Sequence, residues 1–137
     1  MRKILLTTMV AATMLSGAAT AGGRPIPMIE VLDVPVAWPN GTPGDLAAVQ
    51  AAIIRGCADK GWSCQLAAPG LVHGVLMKPD WKAEIDIPFS VASYSIKYSA
   101  SEHLDYNAAK HVIHRNFNRW LVLLRERIDV HTVSPGS

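Results

Sequence analysis

One apolar stripe near the C-terminus does most to restrict how this chain can fold. Ile113, Phe117, Trp120, Leu121, Leu124 and Ile128 lie within about 60° either side of one face when the chain is wound at about 100° per residue. Arg115, Arg119 and Glu126 fall elsewhere around the cylinder. The spacing predicts a helix from near Asn107 to near Val130, before Pro135. A stripe this wide must be buried against another apolar layer.

The sequence supplies that layer as alternating segments. In Trp81 to Ile87, Ala83, Ile85 and Ile87 share one face while Lys82, Glu84 and Asp86 share the other. Ala92 to Tyr98 repeats the pattern, with Tyr94, Ile96 and Tyr98 set against Ser93, Ser95 and Lys97. Such alternation marks an antiparallel sheet with one covered and one wet face. Pairing Ile85 with Ile96 sets Glu84 opposite Lys97 and leaves a loop around Phe89 to Val91. Two further strands are expected at Trp62 to Ala67 and Leu71 to Met77, bounded by Pro69-Gly70 and Pro79-Asp80. Upstream, Leu46, Val49, Ile53 and Cys57 recur at helical spacing, with Asp45 as N-cap or first-turn acid and a stop at Lys60-Gly61.

Residues 22–44 contain five prolines and four glycines, which forbids a helix. Within this arm, Met28 to Val36 is apolar enough to lie extended against the domain as an edge strand. The expected organisation is a signal peptide at 1–21, the arm at 22–44, one α+β domain at 45–130 and a tail at 131–137. Its fold class is α+β: two helices on one face of a three- or four-stranded antiparallel sheet, in the order arm-α-β-β-β-β-α.

Met1-Arg2-Lys3 followed by the apolar run Ile4 to Leu15 and Ala19-Thr20-Ala21 has the pattern of an export signal cleaved after Ala21. The apolar run is about a dozen residues, short of the roughly 20 needed to span a bilayer, and no later segment suffices. Leu15-Ser16-Gly17 is followed by Ala18, so there is no lipobox cysteine. A soluble periplasmic product is expected. In an oxidising compartment Cys57 and Cys64 form a disulfide. Seven residues along one helix would hold them about 10 Å apart, so the helix must end between them, and Gly61 is the natural stop.

Taking Arg2 and Lys3 from the 13 basic residues leaves 11 against 11 acidic ones. A neutral chain without a concentrated basic patch does not point to nucleic acid. Gly-rich phosphate loops, the His-Glu-x-x-His zinc pattern and the Gly-x-Ser-x-Gly elbow do not occur, and no cofactor is implied.

The runs Ser93-Tyr94-Ser95-Ile96-Lys97-Tyr98 and Ile113-His114-Arg115-Asn116-Phe117-Asn118-Arg119-Trp120, with Gly61-Trp62, Pro69-Gly70 and Leu104-Asp105-Tyr106, resemble a family of small exported proteins and lipoproteins of unknown function from Gram-negative bacteria. The resemblance covers nearly all of the mature chain and implies the periplasm, without any assigned chemistry. Many such proteins carry a lipobox cysteine where this chain has Ala18.

Two constellations could carry chemistry. Asp105, Tyr106, His114, Arg115 and Asn118 gather where a loop meets the long helix; Asp105 would accept a hydrogen bond from His114 or pair with Arg115. Such a group binds a polar ligand, serves as a His/Asp acid–base pair in a small hydrolase, or ties loop to helix. His111 and His114 are three apart on the expected helix and, with His103, form a metal-binding alternative. Among the tryptophans, Trp120 belongs to the stripe, while Trp38 and Trp81 either stand as exposed anchors or fix the arm and the sheet edge. Arg115, Arg119, Arg125 and Arg127 read as a solvated helix surface. The expected role is a non-catalytic binding or accessory module of the cell envelope, its partner an envelope protein or small ligand.

Overall fold

The alternating segments form the middle of an antiparallel sheet in a computed structural model that describes residues 24–133. The expected signal peptide lies outside the described residues. In chain order the elements are β1 (Ile26–Pro27), β2 (Val31–Pro35), a 3-10 turn at Pro39–Gly41, α1 (Leu46–Asp59), β3 (Ser63–Ala68), β4 (Leu71–Met77), β5 (Lys82–Pro88), β6 (Ser93–Glu102), β7 (Val112–Ile113) and α2 (Arg115–Val133). The main sheet has the order β2-β6-β5-β4-β3, every pair antiparallel, and β1 pairs with β7 in a separate two-stranded ribbon. The fold is therefore α+β, with two helices.

The covered face carries Val72, Leu76, Ala83, Ile85, Ile87, Tyr94 and Ile96, all buried. Against it lie Val49 and Ile53 of α1 and Phe117, Leu121, Leu124 and Ile128 of α2, each 1% exposed or less. Removing this much apolar surface from water is the main force holding the layers together. The helices cross closely at Gly56, where an added Cβ would stand 2.7–2.9 Å from the side chain and backbone of Ile128. A helix-interior glycine costs about 1 kcal/mol against alanine; here it admits the neighbouring backbone.

The sheet has five strands, not three or four, because the arm joins it. Val31 pairs with Ile96 and Val34 with Tyr94, across an irregularity between them. At that irregularity Ser95 Oγ accepts the Asp33 amide at 2.9 Å, and just before Val31 the Glu30 carboxylate accepts the Tyr98 amide at 2.8 Å. Met28, Val31, Val34 and Val36 bury their side chains, as the apolar character of this stretch implied.

The β5–β6 register differs from the expected one by two residues: Ile85 faces Tyr98, and Asp86 faces Lys97. The hairpin turn is tighter than a loop over 89–91. Ser90 Oγ accepts the amides of Ala92 and Ser93 at 3.1 and 3.2 Å, and Phe89 still bridges Tyr94. An even slip leaves each side chain on its own face.

The long helix starts at Arg115, not near Asn107. Val112–Ile113 is captured as a strand by Ile26–Pro27, while Asn107 bridges Val112 and its Oδ1 accepts the Lys110 amide at 3.0 Å. His114 then opens the helix, its Nδ1 accepting the Asn116 amide at 3.0 Å. At the other end α2 runs to Val133 with His131 and Thr132 buried, so helix continues into the segment expected as tail.

Asp45 caps α1 as expected, accepting the Ala48 amide at 3.0 Å. At the helix end both Lys60 N and Trp62 N donate to the Cys57 carbonyl, at 3.0 and 2.9 Å, and Gly61 takes a left-handed φ of 82°. That reversal brings Cys64 to Cys57, which are disulfide-bonded with Cα atoms 6.1 Å apart. Opposite Cys64 stands Gly74 of β4, where a Cβ would lie 2.6 Å from the Cys64 sulfur. No helix among the described residues is long and apolar enough to cross a membrane.

Candidate functional site

The reversal after α1 also exposes the end of that helix beside two other segments. Lys78 N donates to the Trp81 carbonyl at 2.8 Å and Trp81 N to the Lys78 carbonyl at 3.3 Å, which closes the β4–β5 turn tightly. The turn carries Trp81 to the first turns of α2. There its ring meets Trp120 edge-on, centroids 6.0 Å apart and planes at 63°, and lies 5.4 Å from the His114 ring. Trp62, buried to 4% exposure, faces the same space from the α1–β3 junction. Between these segments opens a cleft of about 500 Å3, inside the range typical of small-molecule sites.

The cleft is aromatic within and cationic at its mouth. Lys60, Lys78 and Arg119 line it, all exposed, and none forms an ion pair among the described residues. The one carboxylate lining it is Asp59. Its Oδ2 accepts Arg127 Nε and Nη2 at 3.1 and 2.9 Å and His131 Nε2 at 2.7 Å. The His131 hydrogen bond first, then that of Arg127, hold this carboxyl below the ordinary carboxylate value. Asp59 is thus held by Arg127 and His131, which do not line the cleft, and Lys60, Lys78 and Arg119 have no carboxylate within ion-pair reach among the described residues.

The residues expected to form a site are spread over structural contacts. His114 is buried and, besides capping α2, its ring lies against Trp81. Asn118 clamps the arm, its Oδ1 accepting the Ile29 amide at 3.0 Å and its Nδ2 donating to the Pro27 carbonyl at 2.9 Å. Tyr106 stacks on Tyr98 at 4.1 Å. Asp105 and Arg115 are exposed, and the expected bond from Asp105 to His114 or Arg115 is not formed. His103 and His111 sit in exposed left-handed conformations, φ 63° and 54°. Among the described residues no three His, Cys, Asp or Glu side chains come together as metal ligands, so His103, His111 and His114 are not assembled as a set. Trp38 ties the arm down, its Nε1 donating to the Val91 carbonyl at 2.7 Å.

Sequence reasoning missed a second cluster, on the open sheet face. His73 Nδ1 meets Asp86 Oδ1 at 2.8 Å and Nε2 meets Glu84 Oε1 at 3.0 Å. The Asp86 bond, opposed by partial burial and reinforced by Glu84, raises the imidazole above its ordinary value. A signal for it existed: pairing Leu71–Met77 with Lys82–Pro88 across the Pro79-Asp80 turn places His73, Glu84 and Asp86 on one face. The cleft gave no such signal, because Lys60, Lys78 and Arg119 come from three segments joined only by tertiary packing.

The chain matches no protein-family model, no curated protein and no solved structure.

Proposed function

We propose that the protein is an exported, non-catalytic binding module of the cell envelope, working in the periplasm, with the tryptophan-lined cleft as its seat. The observation that carries this reading is the make-up of the cleft: aromatic walls for contact, and three cations that form no ion pair among the described residues. Contact surface with a few placed polar groups is what recognition needs. The only carboxylate there is held by Arg127 and His131, so it is not poised to shuttle protons. The Cys57–Cys64 bond supports an oxidising compartment. The resemblance of the Tyr94 to Tyr98 and Ile113 to Trp120 runs to small exported proteins points the same way.

Two measurements test the reading. Expressed from the full chain, the protein is expected in the osmotic-shock fluid with Gly22 as its N-terminus; a chain keeping Met1 in the cytoplasmic fraction overturns export. Native mass spectrometry of protein recovered from that fluid is expected to show a bound species that is absent from the Trp81→Ala variant. A bound species retained equally by both places recognition elsewhere on the molecule.

A further inference from the structure

We propose that the cleft takes a small anion mounted on a flat apolar body, an aromatic carboxylate or its chemical equivalent. The proposal rests on the binding reading above and adds the ligand class. Three features of the cleft converge on it.

The first is charge. Lys60 follows the end of α1, Lys78 stands on the β4–β5 turn and Arg119 projects from α2, so cations from three elements surround one opening. Among the described residues Arg24, Arg55, Lys97, Lys110 and Arg115 also form no ion pair, so what marks Lys60, Lys78 and Arg119 is that all three line one cleft. Like charges left together repel one another, and an anion entering between them relieves that repulsion while gaining charge-assisted hydrogen bonds.

The second is shape. Trp81 and Trp120 meet at 63° with centroids 6.0 Å apart, so a ring lying along one indole presents its edge to the other. Aromatic groups favour such offset and edge contacts. Leu76 and Leu123 extend the apolar lining. The third is size: about 500 Å3 accommodates one or two fused rings with a carboxylate and is too small for a folded partner's surface. The Asn116 side chain, also lining the cleft, offers a neutral donor and acceptor to a second polar group on the ligand.

The test compares 1-naphthoate, which is flat and anionic, with 1-naphthamide, which is flat and neutral, and adamantane-1-carboxylate, which is anionic and globular. Binding to the mature, oxidised protein is followed by amide chemical-shift changes and tryptophan fluorescence. For about a dozen ligand atoms, naphthoate affinity is expected near the millimolar range. It should exceed that of each control by about ten-fold, the scale of one charge-assisted contact, and weaken as salt screens the exposed cations. The Lys60→Gln, Lys78→Gln, Arg119→Gln triple variant alters only exposed side chains and should bring naphthoate down to the affinity of naphthamide. Trp81→Ala should weaken both flat probes together.

Equal, salt-independent binding of naphthoate and naphthamide to the native protein overturns the anion, with no variant needed. Equal binding of adamantane-1-carboxylate overturns the flat body. Shift changes clustered away from residues 60–62, 78–81 and 116–123 overturn the location. If naphthoate fails while the species carried from the periplasm still depends on Trp81, the ligand class falls and the binding module stands. If that species is indifferent to Trp81, the seat itself falls.

Discussion

The open face of the sheet and the cleft at its edge handle charge in opposite ways. On the open face Gln65, His73, Asp86 and Lys97 lie in register across four strands, and Glu84 stands one pair along beside His73. Each carboxylate there has a partner in reach: His73 sits between Asp86 and Glu84, and Lys82 lies 3.6 Å from Glu84 and 3.7 Å from Glu102. In the cleft Lys60, Lys78 and Arg119 have no such partner among the described residues, and the local carboxylate is drawn off by Arg127 and His131. Charges that answer each other serve the fold. Single cations without an ion pair occur elsewhere too, Lys97 on the open face among them; three of them lining one aromatic hollow is what makes the cleft the place to look for function.

The sharpest way to break this contrast is to remove the Cys57–Cys64 bond, because it pins the wall of the cleft that bears Lys60 and Trp62 and touches none of the paired residues of the open face. A Cys57→Ser, Cys64→Ser chain is expected to lose about 2.5 kcal/mol of unfolding free energy, the chain-entropy cost of so short a loop. Denaturant titration measures the loss. Amide shifts of the variant should change around 57–64 and stay put at His73 and Asp86. Next in size is Trp81→Ala. A half-buried ring in contact with Trp120 and His114 should cost roughly 2 kcal/mol, below the 3–5 of a fully buried one; a cost under 0.5 kcal/mol would show the indole idle in the folded state.

Smaller still is a pH effect confined to the open face. The folded His73 holds its proton more tightly than at the ordinary value of 6.5, mainly through Asp86. A raised folded value means stability fully present below the unfolded one and lost as pH climbs through the folded one. Stability should therefore decline as pH rises above 6.5 through that higher value, and His73→Gln should flatten the slope; chemical denaturation across a pH series reads it. Asp59 runs the other way. Its lowered value gives stability present above 3.8 and lost as pH falls through the folded value, and Asp59→Asn should remove that acid limb. The smallest effect belongs to the cleft cations: Lys60→Gln, Lys78→Gln and Arg119→Gln should each move stability by less than about 0.5 kcal/mol, since none forms an ion pair among the described residues.

The layers were legible because periodicity reports which face a side chain takes. Ile85, Ile87, Tyr94 and Ile96 went to the core, as did Phe117, Leu121, Leu124 and Ile128. Register was not legible. A period of two leaves an even slip unmarked, and the Ser90 hydroxyl that tightens the turn does not show in an alternation. The start of α2 was misplaced for a related reason: Val112 and Ile113 suit a helix or a strand locally, and Ile26–Pro27, far away in sequence, decides for the strand. The residues expected to cluster around His114 and Asn118 are spread over separate contacts: His114 caps the helix and Asn118 clamps the arm. The sequence leaves Trp81 as an exposed anchor or a fixer of the sheet edge, and Lys60, Lys78 and Arg119 gain meaning only from packing that brings three distant segments to one opening.

Gly74 gives the bridge a counterpart. The space its missing Cβ leaves is where the Cys64 sulfur sits, so the two positions cannot be altered independently. Gly74→Ala in the oxidised chain collides with that sulfur at 2.6 Å. In a chain with Ala at position 64 that collision is gone, although the methyl still stands 3.2 Å from Ile85 Cγ1, which must give by a few tenths of an ångström. The cost of one substitution thus depends on the identity of its neighbour. A lineage that discarded its thiols would be free to fill the hole, and having filled it, would find the old crosslink hard to regain.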